Sequence, residues 1–452
     1  MINLKKKQSR KWKAYRRFLK IVLTVTLLTI LGISYKQIYD SIPSTIRLKA
    51  GVEQILDLNV PVEGTIMKSI GSDRAVEVSE QGESNIPSDS IYINLNNAVS
   101  LMANDTQAYR MNLKLFGFIP FKQVDIEVIQ DMMLYPVGRP VGIYVKTDGV
   151  LVIGVGEFEG PDGKQQSPAK YLLKSGDYIL KVDGVEVEGK DQFIQTVEES
   201  QGEKLVLTVR RGEEEFELSI RPELNQSAEY KLGVWVRDNA QGVGTVTFVD
   251  EQGNFGALGH GISDVDTSAL MMLKSGTLYQ TEIIAIKKGS NGTPGEITGM
   301  IEYSDRYILG EITANTEKGI YGVCSNELWE NGVGEALPIG LKQEIKKGAA
   351  QILCCVGKEA KYYDVEIKEV YLQNNNVNRG ILLEVTDPEL LATTGGIVQG
   401  MSGSPVIQNG KLVGAVTHVL VNDPTRGYAI FIENMLETAN QVAEEQAKKD
   451  AS

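Results

Sequence analysis

The chain has 452 residues, enough for two or three domains, and its apolar (42%) and charged (23%) fractions are those of folded globular protein. Its net charge is −13, with basic residues clustered only in the first twenty positions, which argues against a nucleic-acid partner because phosphate binding needs a basic face. The cysteines Cys324, Cys354 and Cys355 do not suit a disulfide framework, and with two histidines in the whole chain no spaced ligand set exists, so neither metal nor cofactor is expected.

Residues 1–17 form a basic segment containing Lys5, Lys6, Lys7, Arg10, Lys11, Lys13, Arg16 and Arg17. Residues 21–35 then carry no charge. With Phe18 and Leu19 added and Lys20 snorkelling, the stretch 18–36 reaches the ~17 residues that a bilayer-spanning helix needs. The preceding cations keep that end cytoplasmic, so the remainder is exported. A cleaved signal peptide would show a small-x-small site after the apolar run. The sequence there reads Ile-Ser-Tyr-Lys-Gln-Ile-Tyr, and an uncleaved anchor is expected.

From 43 to 132 the pattern is mostly of period two, as in residues 90–99 and 109–115, with a polar loop over 79–88. This predicts a small β domain without chemistry of its own, a spacer or docking module.

Residues 136–225 differ. Strands are expected at 142–145 and 149–155. A helix is expected over 167–177, with Ser167 as N-cap, Pro168 at the first position and Gly176 at the end. A hairpin follows around Asp183-Gly184, then a helix at 190–199 and strands at 204–210 and 215–220. The run from Pro168-Ala169 through Leu173-Lys174-Ser175-Gly176-Asp177-Tyr178 to Asp183-Gly184 resembles a PDZ domain of the bacterial protease type. Such modules bind an extended peptide by adding it to a sheet edge beside a helix. Val141, Gly142, Ile143 and Tyr144 match the loop that would receive a terminal carboxylate.

From 232 to 440 the chain is rich in glycine and strand patterns, which suits one double β-barrel domain, with a clear helical pattern only over 432–449. Residues 441–452 read as a polar tail. The stretch Gly400-Met401-Ser402-Gly403-Ser404-Pro405 carries the chemistry. Serine is a weak nucleophile that needs a base and a place for the developing oxyanion. Glycines permit a sharp turn that brings backbone N–H groups to the reacting carbonyl. The N–H groups of Gly400 and Ser402 are the expected oxyanion hole. The base is expected to be His260, bracketed by Gly259 and Gly261, whereas His418 lies in an apolar strand where a packed histidine is the plainer reading. A carboxylate should orient the imidazole. Asp264, Asp266 and Asp387 are the candidates, and spacing alone does not choose among them.

The block Gly395-Gly396-Ile397-Val398-Gln399-Gly400-Met401-Ser402-Gly403-Ser404-Pro405, with Gly414-Ala415-Val416-Thr417-His418-Val419 and Gly256-Ala257-Leu258-Gly259-His260-Gly261, resembles the stage IV sporulation protein B peptidases of endospore-forming bacteria. The resemblance extends over the order anchor, PDZ module, peptidase. It implies a trypsin-like double β-barrel fold, Ser402 as nucleophile, His260 as base and Asp387 as acid. Met401 stands where trypsin-like enzymes carry an aspartate, so activation through a new N-terminal amine is not implied. Asp387 also lies nearer the serine than trypsin's acid does.

The strand Ala415, Val416, Thr417, His418 follows the nucleophile at a distance suited to a substrate-binding wall. The resemblance further implies a protease that cuts itself and then a membrane-bound regulatory subunit of an intramembrane metalloprotease complex. Made by an enzyme exported into the space between forespore and mother cell, that cut is implied to release the intramembrane metalloprotease, which matures a late mother-cell sigma factor. The competing readings are a non-catalytic PDZ-containing adaptor and a general envelope quality-control protease. If His260 is the base, activity should rise as it loses its proton, near ~6.5.

Overall fold

The computed structural model describes residues 2–68, 76–79, 90–103, 108–332, 334–373 and 376–450. The polar stretch expected to be a loop over 79–88 therefore lies, from residue 80 onward, outside the described residues. The chain is mainly β and divides into two units. The first comprises Met1–Asp131, Leu341–Glu344 and Tyr371–Asn375, and the second comprises Met132–Gly340, Ile345–Val370 and Asn376–Ser452.

The first unit begins with helix α1 (Ile2–Ser41), which stops just before Pro43, as a chain must where the next ring restricts its backbone. None of its apolar side chains between 18 and 35 is buried, and it is long and apolar enough to cross a bilayer. Its last turn is tied to the β fold. Lys122 Nζ donates to the carbonyls of Tyr39 (3.2 Å) and Ile42, satisfying groups left open at the helix end. Burial pulls the Lys122 ammonium down to about 8, against the opposing charge of Asp40. Phe121 meets Tyr35 and Tyr39 edge-on at 5.1 and 5.7 Å.

The main sheet of this unit orders its strands Thr45–Lys49, Ile119–Ile129, Ala108–Leu115, Val62–Lys68 and Ser90–Asn94. The first pair is parallel. The alternation read over 109–115 buries Tyr109, Met111, Leu113 and Leu115 against Ile46, Ile66 and Ile126. Residues 90–99 are not one strand, because a turn at 95–98 separates Ser90–Asn94 from Val99–Ala103, which belongs to a second sheet.

The second unit is built on two rings of strands. The strands of the first ring are β1 (Pro140–Val155), then β2 (Tyr178–Val182), α2 (Lys190–Glu199), β3 (Leu205–Arg211) and β4 (Glu214–Ile220) as an excursion. The ring resumes with β5 (Val234–Val249), β6 (Asn254–Ala257), β7 (Leu273–Lys287), β8 (Ile308–Thr316) and β9 (Gly319–Cys324). Pairing runs β1–β7–β8–β9–β6–β5, and β5 returns to β1, which closes the circuit. Val141, Val145, Val246, Phe255, Leu278, Ile312 and Ile320 fill it.

The second ring is a closed barrel of β10 (Gly348–Cys354), β11 (Lys361–Val370), β12 (Ile381–Val385), β13 (Pro405–Gln408), β14 (Lys411–Leu420) and β15 (Asp423–Phe431). The short helix α3 (Pro388–Thr394) follows β12, and α4 (Ile432–Asp450) follows β15. The expected tail from 441 is thus helical as far as Asp450. The double-barrel architecture is present, and closure removes the exposed edges that sheets otherwise carry.

The excursion is the PDZ module, and its boundaries differ from the expected 136–225. Residues 151–155 of β1 and 234–237 of β5 pair with each other, and β1 continues to β2, β3 and β4. Val150, Val152, Ile179, Phe193, Val197, Leu207 and Val209 form its core. The module is therefore spliced into the first ring, and the peptidase fold starts near Pro140 rather than at 232. The helix expected over 167–177 is a series of turns. Ser167 Oγ donates to Gly156 O instead of capping, and Tyr171 takes φ 67°, which no helix accommodates. The Asp183-Gly184 hairpin and the helix at 190–199 are as expected.

Candidate active site

Ser402 sits on the turn that feeds β13. Gly400 and Gly403 both take φ +98°, and a Cβ on Gly403 would lie 2.0 Å from the Thr245 carbonyl, so glycine is required there. The turn is gripped from the first ring. Thr245 N donates to Ser402 O (2.9 Å), and the buried Thr245 Oγ1 donates to Gly400 O (2.8 Å). Ser404 Oγ donates to Met401 O (2.7 Å) and Gly403 N to Val416 O (2.7 Å). Among the described residues the N–H groups of Gly400 and Ser402 donate to no acceptor. Two unpaired donors two residues apart on a turn fixed from both sides are the groups a developing oxyanion requires.

His260 lies just past β6. Leu258 and Gly259 both take φ 68°, two successive left-handed residues that swing the chain out of the ring. For a leucine that conformation is strained and persists only where its surroundings impose it. His260 Nδ1 faces Gly261 O at 2.9 Å. With the Nδ1 proton donated there, the lone pair falls on Nε2, the tautomer of a general base. Burial pushes the imidazole below the ordinary histidine range, and the Gly261 carbonyl opposes this. The loop beyond is held by Asn315, whose Nδ2 donates to Ile262 O (2.9 Å) and Met271 O (2.8 Å) and whose Oδ1 accepts from Ile262 N (2.8 Å).

His260 and Ser402 line one cleft of about 420 Å³, together with Gly400, Gln241, His418 and Val419. The two histidine rings stand 5.4 Å apart. Ser402 Oγ donates to Thr417 O at 2.9 Å. His418 is held down to about 4 by burial, with the charges of His260 and Arg379 adding to the effect. His418, though partly buried, is also among the residues that line the cleft.

The carboxylates are placed differently from expectation. Asp387 does not reach His260. It is the N-cap of α3, its Oδ1 accepting from Glu389 N (2.8 Å) and Leu390 N (3.0 Å), with Pro388 in the first turn. Asp264 and Asp266 both bind Arg237, the latter at 2.7 Å. Burial would raise the Asp264 carboxyl, but the Thr267 N–H and Arg237 outweigh it and hold it below the ordinary carboxylate range. Among the described residues no carboxylate bonds to His260, whose Nδ1 is oriented by a backbone carbonyl.

Val141, Gly142, Ile143 and Tyr144 are also not where a peptide terminus is received. They lie in the wall of the first ring, paired to β5 on one side and β7 on the other, and offer no free edge. The open groove of the PDZ module, about 400 Å³, lies instead between α2 (Phe193, Ile194, Val197) and Leu232, Gly233 and Trp235. Within the expected substrate wall, Ala415 and Val416 are paired on both sides inside the barrel. Pairing to β13 ends at Ala415, so the edge open to the cleft is Thr417, His418 and Val419. Sequence reasoning missed Thr245 and Asn315. Nothing in their flanking residues marks them, because their roles depend on contacts far along the chain.

A hydroxyl, an imidazole and an unpaired pair of amides in a cleft between two closed rings of strands define a serine peptidase of the double-barrel class. Residues 228–436 match the SpoIVB peptidase S55 family, which supports a serine peptidase of the sporulation type. No curated protein matches the chain. Among solved structures, the PDZ domain of an SdrC-like protein from Listeria monocytogenes is similar at 22% identity and a TM-score of 0.17, over 20% of this chain and 87% of its own. The Rv3671c protease in its inactive form is similar at 14% identity and a TM-score of 0.22, over 46% of this chain and 83% of its own.

Proposed function

We propose that Ser402 attacks the substrate carbonyl, that His260 removes its proton, and that the N–H groups of Gly400 and Ser402 bind the oxyanion. The observation that carries this reading is that both side chains line one cleft, beside two amides with no other acceptor. In the resting arrangement Ser402 Oγ is turned to the Thr417 carbonyl, so a χ1 rotation toward His260 Nε2 precedes attack. The substrate backbone adds as a strand to the open edge at Thr417–Val419. Gly261 O takes the orienting role that an aspartate fills in the familiar triad.

On this reading α1 tethers the enzyme, with its basic end cytoplasmic and the β domains exported. The enzyme cleaves itself and then a membrane-bound regulatory subunit of an intramembrane metalloprotease complex, whose release activates a late mother-cell sigma factor. Tethering supports this role by confining the search for a membrane-bound substrate to one surface. N-terminal sequencing of fragments from the wild type and from Ser402→Ala is the test. Loss of all fragments in the variant supports the reading. Unchanged fragments leave an adaptor, and degradation of any unfolded protein leaves a quality-control enzyme.

A further inference from the structure

We infer that the first unit makes a second contact with the bilayer. The tip of the hairpin between strands Ala108–Leu115 and Ile119–Ile129 inserts into the lipid interface beside α1. This rests on α1 being a membrane span, and the experiment below separates the two.

The run from Leu115 to Phe121 reads Leu-Phe-Gly-Phe-Ile-Pro-Phe, with no polar side chain, and is bracketed by Lys114 and Lys122. At its tip Phe116 is 58% and Phe118 72% exposed, and Ile119 is exposed too. Three residues, Phe116, Gly117 and Phe118, join the strands, and two successive turn positions of positive φ favour Asn-Gly. Here Phe116 takes φ 54° before Gly117 at φ 80°, an unfavourable conformation for a bulky side chain. The fold thus keeps an aromatic residue at a cost in backbone energy, at a position where water is its neighbour.

The direction of the hairpin names its occupant. Strand Thr45–Lys49 leaves α1 and runs away from the apolar segment, and strand Ile119–Ile129 runs parallel to it, Thr45 opposite Asp125. The start of the latter strand therefore points back toward the span. Side-chain contacts agree. Lys122 meets the carbonyls of Tyr39 and Ile42, while Phe121, one residue nearer the tip, meets the rings of Tyr35 and Tyr39. Tyr35 closes the uncharged run of α1. The strand begins at Ile119, two residues beyond Phe121 and roughly 7 Å further in the same direction at ~3.3 Å per residue, and Phe118 lies past it in the turn. That places it level with the apolar part of α1.

Glu63 sits against Gly117, bonded to the Tyr92 hydroxyl and opposite Lys114 in the ladder. Its carboxylate and the exposed Lys114 supply polar groups beside the tip, where headgroups would be. Exposed aromatic rings next to such groups, continuous with a spanning helix, fit the water–lipid boundary.

The test uses the full chain carrying Ser402→Ala, to keep it whole, in phosphatidylcholine–phosphatidylglycerol vesicles. Phe118→Trp is compared with Ile55→Trp, an exposed position in the unit's second sheet. That sheet joins at Ala50, the end of the unit opposite the tip. After subtraction of the signal of Trp12, Trp235 and Trp329, the tryptophan at 118 should emit at blue-shifted wavelength. It should also be quenched by lipids brominated near the headgroup, while that at 55 is not. Vesicle-bound protein with both tryptophans unquenched and water-like in emission overturns the insertion and leaves the anchor standing. Protein that does not float with vesicles overturns the anchor reading, and the insertion with it.

Discussion

Replacing Asp387 by asparagine separates a structural from a catalytic carboxylate. In the structure Asp387 Oδ1 caps α3, accepting from Glu389 N and Leu390 N. Asparagine caps about as well as aspartate. The substitution therefore removes only the favourable charge at the helix N-terminus, about 0.5 kcal/mol, which in a domain of this size lowers Tm by about 1–2 °C. Alanine removes the cap itself and costs about 1 kcal/mol, or roughly 2–4 °C. Neither change touches His260, whose Nδ1 is held by Gly261 O. The Asn variant should thus form self-cleavage fragments at a rate within a few-fold of the wild type. An aspartate that orients the catalytic imidazole behaves otherwise, since its change to asparagine costs about 10⁴ in kcat. Fragment formation over time, read beside calorimetric Tm, distinguishes the two. A thousand-fold slowing with Tm unchanged would refute the capping role as sufficient and return Asp387 to the catalytic machinery.

Three further outcomes follow from the same geometry. A general base must be neutral, and burial lowers the His260 pKa, so activity should rise through a midpoint below the ordinary ~6.5 and be level at neutral pH. A pH–rate midpoint above 6.5 would contradict the burial seen here. For His418 the sign is the same. Its folded value near 4 lies below the unfolded one, so the unfolded state binds more protons in between. Its stabilising contribution is complete above ~6.5 and is lost as pH falls through that range toward 4. Tm should drop between pH 6.5 and 4.5, and less so in His418→Asn. Thr245→Val keeps the shape but leaves the buried Gly400 carbonyl unpaired. That should cost about 1–3 kcal/mol in urea unfolding and loosen the oxyanion turn enough to slow fragment formation.

Ser402 and His260 stood out in the sequence because each is a reactive residue type set among glycines, Gly400 and Gly403 near one and Gly259 and Gly261 around the other, and the structure brings both to one cleft. Asp387 did not, because Asp followed by Pro is the signal both of an acid on a loop and of a helix cap with proline in its first turn. Only the neighbours of its oxygens decide. The helix over 167–177 failed although its cap, proline and glycine were all in place. Ser167 finds a better partner in Gly156 O, and Tyr171 adopts a left-handed turn, so tertiary contacts override local propensity. The two rings and the alternating strands were readable from periodicity, which records what each face buries and not which strand lies alongside.

That blindness to pairing explains the misplaced module boundary, and it has a measurable consequence. β1 and β5 are each 16 residues long, and each serves two structures. β5 leaves the PDZ-module groove at Val236, is pinned at Arg237 by Asp264 and Asp266, lines the cleft at Gln241, and grips the turn that carries Ser402 at Thr245. Residues 140–146 of β1 pair with β5 and β7 and close the first ring. A fragment cut at 232 to isolate the peptidase keeps β5 but loses β1. It would expose two long strand edges and remove Val141, Ile143 and Val145, all buried, at about 1.5–3 kcal/mol each. Their sum of about 5–9 kcal/mol is comparable to the whole stability of a typical domain, about 5–15 kcal/mol. The fragment 232–440 should therefore show no cooperative thermal transition, whereas 133–450 should. A cooperative transition in the shorter fragment would mean that the first ring closes without β1, and that the PDZ module is an appendage rather than part of the wall.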